Sequence, residues 1–136
     1  MHQRSAAQLY SLVFGVLLVA GGIIGFFYTA DFAVGDAMER ERALLLDVNG
    51  WHNTVHLLTG AIGLAVAGSA AAARSYALIL GVVYLLLAIL GFLVFGDTVL
   101  QILPLNTEDN ILHLLIGAAG IGTYTASSPS AAPSTI

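Results

Sequence analysis

The chain has 136 residues, 58% of them apolar and only 9% charged, with a mean hydropathy of +0.91. Four basic and eight acidic side chains cannot coat a soluble domain, which ordinarily carries about 25% charged residues, so the lipid bilayer is the expected solvent and partner. The absence of cysteine excludes disulfides, thiolate metal sites and thiol nucleophiles, and a net charge of −4 with so few basic residues excludes nucleic acid, whose phosphates demand clustered lysine and arginine.

One domain is all the length allows. A short polar lead with Arg4 precedes residues 9–29, an uncharged run of 21 residues, long enough to cross about 30 Å of hydrocarbon. A secretory leader has an apolar core of only about 7–15 residues before a small-residue cleavage site. This run is longer and ends in Phe26-Phe27-Tyr28, which predicts a retained membrane helix. Residues 31–49 are the most polar stretch, with Asp31, Asp36, Glu39, Arg40, Glu41, Arg42 and Asp47. Within it Ala37, Met38 and Leu44 to Leu46 suggest a short helix lying in the membrane interface. A second span is expected over residues 50–68, a tight connection holding Arg74 over 69–75, and a third span over 76–96. Residues 97–109 form a second polar loop, interrupted by Pro104. The fourth span, 110–124, is short, and the Ser/Pro/Ala-rich tail 127–136 has the composition of a disordered segment.

The spans repeat. Asn53-Thr-Val-His56-Leu-Leu-Thr-Gly60-Ala-Ile-Gly63 returns 57 residues later as Asn110-Ile-Leu-His113-Leu-Leu-Ile-Gly117-Ala-Ala-Gly120, each copy preceded four residues earlier by asparagine (Asn49, Asn106). Tyr10 to Gly15 likewise matches Tyr76 to Gly81, and Gly25-Phe26 matches Gly91-Phe92, at an offset of 66. The expected fold is therefore all-α: an integral membrane four-helix bundle made of two helical hairpins in parallel repeat, related by a pseudo-twofold axis along the membrane normal. All eight acids fall in the two loops on one face, which carries −6 with Arg40 and Arg42, while the other face has only Arg4 and Arg74. Those two arginines sit at span ends without acids nearby, which places both termini in the cytoplasm.

On a helix, Asn53, His56, Gly60 and Gly63 share one face, as do Asn110, His113, Gly117 and Gly120. The glycines form small-residue stripes that let another helix, or a second copy of the chain, approach closely. The plainest reading of the motif is structural: Asn49 and Asn106 cap helix starts, and the histidines hydrogen-bond across the bundle. A second reading is a metal. His52 and His56 stand four apart, as do Asp109 and His113, so three imidazoles and a carboxylate would converge if spans 2 and 4 are neighbours, a set suited to zinc. A third is axial ligation of haem or chlorophyll by His56 and His113. No cofactor is required by the sequence, no catalytic spacing is present, and the expected role is a structural or accessory membrane component rather than an enzyme.

The doubled Asn-x-x-His-Leu-Leu-x-Gly motif, with Leu105-Asn106 and Asn110 leading its second copy, resembles a bacterial, largely actinobacterial membrane family known only as domain of unknown function 4383. The resemblance covers residues 8–124 and implies a four-helix protein of the bacterial plasma membrane without an assigned activity. The family's His-Asn-x-x-His form matches at His52, Asn53 and His56, and Asp109 stands in place of the first histidine in the second copy.

Overall fold

The computed structural model describes residues 3–95 and 97–127. Four helices carry the chain: α1 (Ala6–Tyr28), α2 (Gly50–Val66), α3 (Ala70–Leu90) and α4 (Thr107–Ala126). Each starts at a short polar residue whose side chain takes up an otherwise orphaned N–H of the first turn. Ser5 accepts from Gln8 N, Asn49 from His52 N, Ser69 from Ala72 N and Asn106 from Asp109 N. α3 continues into a π-helical turn, Gly91–Phe95.

The connections differ from expectation in two places. Residues 31–49 do not form an interfacial helix. Beyond a single 3-10 turn (Gly35–Ala37), they fold into a β-hairpin of β1 (Glu41–Ala43) and β2 (Leu46–Val48). Leu44 turns the corner at φ 58°, and exposed leucines on a two-residue turn leave too short an apolar stripe to lay a helix down. The second polar loop does the same, with β3 (Thr98–Val99) and β4 (Leu103–Pro104) joined through Leu100 and Gln101, both at φ 54°. The connection around Arg74 is also shorter than expected: α3 begins at Ala70, so Arg74 is helical, stacked over the Tyr124 ring and donating to Ser127 O at 2.7 Å. The tail expected to be disordered lies, beyond Ser127, outside the described residues.

The helices pack as two hairpins, α1 on α2 and α3 on α4. Backbones meet at glycines. A Cβ on Gly60 would lie 2.7 Å from Val19 N, and one on Gly117 would lie 2.6 Å from Leu85 N. The carboxamides of Asn53 and Asn110 fill the notches left by Gly25 and Gly91, and Asn53 donates to Thr29 O at 3.0 Å. Between the hairpins, Tyr10, Leu18, Tyr76, Ala77, Leu80 and Tyr84 form the core. Tyr10 on α1 donates to Ile116 O on α4, and Tyr76 on α3 donates to Thr59 O on α2, both at 3.0 Å. Those carbonyls belong to regular helices and accept a second bond because the residue one turn on is glycine. A Cβ on Gly120 or Gly63 would sit 2.8 Å or 2.6 Å from the hydroxyl.

At the loop end the cap asparagines reach across. Asn49 Nδ2 donates to Ile102 O at 2.7 Å and Asn106 Nδ2 to Leu45 O at 2.8 Å, so each side chain caps its own helix and ties down the other hairpin's turn. Arg40 adds a surface bridge to Asp97 at 2.9 Å and Arg42 one to Glu108 at 3.7 Å. Such exposed pairs contribute little, commonly about 0–1 kcal/mol each. The starts of α2 and α4, which lie diagonally across the bundle, are thereby held within reach of each other's side chains.

Candidate metal centre

The side chains at those two helix starts converge. α2 carries His52 and His56 one turn apart, so both rings point from one face, and α4 brings His113 opposite them. One ring nitrogen from each of His52, His56 and His113 lies within 4.8 Å of the other two. The tightest pair is His52 Nε2 and His56 Nε2, 3.1 Å apart. His52 and His113 are 3% and 5% exposed, and His56 is half-buried. The shared space is about 20 Å³, closed off by Tyr84, Leu87, Leu103 and Leu105. That is room for one water-sized guest.

Hydrogen bonds fix how the rings present themselves. His52 Nδ1 lies 3.0 Å from Asp47 O, and a carbonyl only accepts, so Nδ1 carries the proton and Nε2 offers its lone pair to the cluster. This is the arrangement that orients a metal-ligating imidazole. His113 Nδ1 is buried with no hydrogen-bond partner among the described residues. The Tyr84 ring meets the His113 ring edge-on at 5.0 Å and holds its plane. Asp109 is anchored through Oδ2, which accepts from Asp47 N and Asn106 N at 3.0 Å each. Its other oxygen is turned to the cluster, 3.9 Å from His52 Nε2.

Three neutral imidazoles are a donor set for zinc and similar divalent ions. Bonds of 2.0–2.1 Å at tetrahedral angles put two ligand nitrogens about 3.3 Å apart. The His52–His56 pair already stands near that value, and His113 would close by an ångström or so. Of the four ligand candidates in the sequence, the three histidines form the tight group and Asp109 stands beside His52 rather than inside it. The remaining motif residues surround the cluster in supporting positions: Asn49 and Asn106 as caps, Asn53 and Asn110 in glycine notches, and Gly60, Gly63, Gly117 and Gly120 at backbone contacts. Tyr84 and the Asp47 carbonyl escaped sequence reasoning. Tyr84 sits in an unbroken apolar run, and a backbone carbonyl leaves no mark in a sequence. The repeat of Tyr10 at Tyr76 was the available signal for the tyrosine contacts.

The chain is thus a four-helix, all-α protein that has, among the described residues, two helices, Ala6–Tyr28 and Ala70–Leu93, long and apolar enough to cross a membrane, and a histidine cluster at its loop end. It belongs to the family described as Domain of unknown function (DUF4383), whose model matches residues 8–126. No curated protein and no solved structure matches it.

Proposed function

We propose that this chain is a four-span protein of the bacterial plasma membrane that holds one divalent transition-metal ion among His52, His56 and His113. The observation that carries the reading is the convergence of three imidazole nitrogens within 4.8 Å of one another around a space of about 20 Å³. Its role is that of a metal-holding accessory component, the space among the three rings being large enough for the ion alone. Interhelical clamping by the histidines, the plainer reading of the sequence, loses support at His113, whose buried Nδ1 has no hydrogen-bond partner among the described residues. A haem or chlorophyll between His56 and His113 is disfavoured because His52 stands 3.1 Å from His56 Nε2, on the face a flat macrocycle would need.

The test is cobalt loading. Wild-type protein in detergent, incubated with Co2+ and desalted, is expected to retain one ion per chain and to show the visible absorption of four-coordinate cobalt. His113→Ala is expected to retain none. Colourless, cobalt-free wild-type protein would overturn the assignment.

Membrane insertion of all four helices is supported by the apolar side chains that α2 and α4 turn outward as α1 and α3 do, among them Leu58, Ile62, Leu114 and Leu115. Duplication of one hairpin is supported by the matched tyrosine and asparagine contacts, whose members stand 66 and 57 residues apart. With an even number of spans in each hairpin, both termini share the cytoplasmic side and the histidines face outward. The chain has no cysteine of its own, so Ala71→Cys and Thr107→Cys each introduce a single label site. An impermeant thiol reagent added to intact cells is expected to reach position 107 and not 71. Labelling of both from outside would exclude the four-span arrangement.

A further inference from the structure

The two faces at which the hairpins meet are built from corresponding residues, and beside the histidines only one of them is open. There, where α3 faces α2, Tyr84 and Leu87 leave a space of about 20 Å³, the wider cleft of that face lying farther along the helices at Thr59, Ile62, Tyr76 and Ile79. Where α1 faces α4, the positions 66 residues earlier are Leu18 and Gly21. The smaller side chains leave a cleft of about 250 Å³. The fold does not impose this cavity, because the equivalent face closes with two larger residues. Its wall is almost wholly apolar, with Phe14, Leu17 and Leu112, and His56, Asp109 and His113 stand at its inner end. Leu17 and Leu112 are 57% and 42% exposed on the helix surfaces, so in the proposed orientation the entrance faces the bilayer.

His56 gives the cleft its chemistry. Its Nε2 is turned to His52, while a Cβ on Gly21 would lie 3.6 Å from its Nδ1, so Nδ1 borders the cleft. A neutral imidazole has one N–H and one lone pair. With a metal on Nε2, Nδ1 carries the hydrogen and presents a donor. Without one, His52 Nε2 accepts the His56 Nε2–H, and Nδ1 presents a lone pair. An acyl chain alone would leave His56 Nδ1 unmatched. A carboxylate head would meet Asp109, and a cationic head would meet the metal.

We infer that the cleft between α1 and α4 binds a lipophilic quinone, which enters sideways from the bilayer and sets a ring oxygen against His56 Nδ1. The inference rests on the metal reading in one respect, the proton that His56 offers to a carbonyl oxygen. The cleft itself is walled by α1 and α4, with Leu46 and His56 completing it.

Equilibrium dialysis of the detergent-purified, Co2+-treated protein with 2-methyl-1,4-naphthoquinone tests it, with palmitate as the competing lipid. Wild type is expected to bind one quinone per chain and to prefer it over palmitate. Gly21→Leu, and separately Leu18→Tyr, install the side chains that the α3 face already accommodates. Each is expected to weaken quinone binding at least tenfold while cobalt content and melting temperature stay near wild type. Unchanged quinone affinity in both variants, or palmitate binding as tightly as quinone, overturns the inference. Loss of quinone binding in the two variants of a protein that holds no cobalt would end the metal reading and leave the cleft standing. Cobalt retained with no quinone bound by wild type does the reverse.

Discussion

Leucine at Gly60 or Gly117 is expected to destabilise the bundle by about 3 kcal/mol or more, the upper range for forcing extra volume into a packed interior. At Gly60 even the first added carbon would meet Val19 N at 2.7 Å and Gly15 O at 2.8 Å, and at Gly117 it would meet Leu85 N at 2.6 Å. These neighbours are backbone atoms of helices that cannot give way singly. The two helices of the affected hairpin would have to part along their length, losing the asparagine-in-notch contact at Gly25 or at Gly91. The control is the adjacent position. Ala61 and Ala118 are exposed on the outer surface, and leucine there is expected to change stability by no more than about 0.5 kcal/mol. Thermal unfolding in detergent checks both, and equal melting temperatures for the two classes would show that the helices do not meet at the glycine stripe.

The second large effect concerns the ion. Ligand that binds only the folded state raises stability by about 2.7 kcal/mol at a free concentration of 100 times Kd. Zinc at such a concentration is therefore expected to raise the melting temperature of the wild-type protein, and EDTA to reverse the rise. His52→Ala, His56→Ala and His113→Ala each remove one of three converging donors and are expected to abolish the response. The readout is the zinc-dependent shift rather than the melting temperature itself, because truncating a packed imidazole lowers the latter whatever its role. Asp109→Asn keeps an oxygen for the Asp47 and Asn106 N–H groups and removes only the charge 3.9 Å from His52. It is expected to shrink the shift, since water can take a fourth position on zinc. A wild-type melting curve indifferent to zinc and EDTA would return the histidines to a purely structural role.

Much of the helical architecture was legible because its cause is local. Long uncharged runs form helices whose apolar faces need a non-aqueous partner, and Asn49 and Asn106 announce helix starts because a short amide suits the first-turn N–H groups. The repeated Asn-x-x-His-x-x-x-Gly spacing likewise put His56, Gly60 and Gly63 on one side of α2 without reference to any other element. The interfacial helix expected within residues 31–49 does not form, for a physical reason. Ala37, Met38 and Leu44 to Leu46 have helix-compatible composition, but the segment is held from outside. Asn106 takes the Leu45 carbonyl, and the Asp47 N–H bonds to Asp109. Both bonds come from residues about 60 positions away, which no local pattern encodes.

The sequence by itself determined that two similar helical hairpins exist, where their glycines and histidines lie, and that long apolar runs make up their helices. All of these follow from composition and from periodicities of three and four residues. Only the tertiary structure decided what the histidines face. Spacing aligned His52 with His56 and Asp109 with His113, but α2 and α4 are diagonal rather than packed neighbours, and the meeting of their first turns depends on the crossed asparagine bonds between the two loops. That meeting brought the third imidazole in and left the carboxylate beside the group. The packing also decided that Leu18 and Gly21, placed where the other half has Tyr84 and Leu87, leave a cleft at the histidines. A missing side chain has an effect only where a neighbouring helix fails to fill its place.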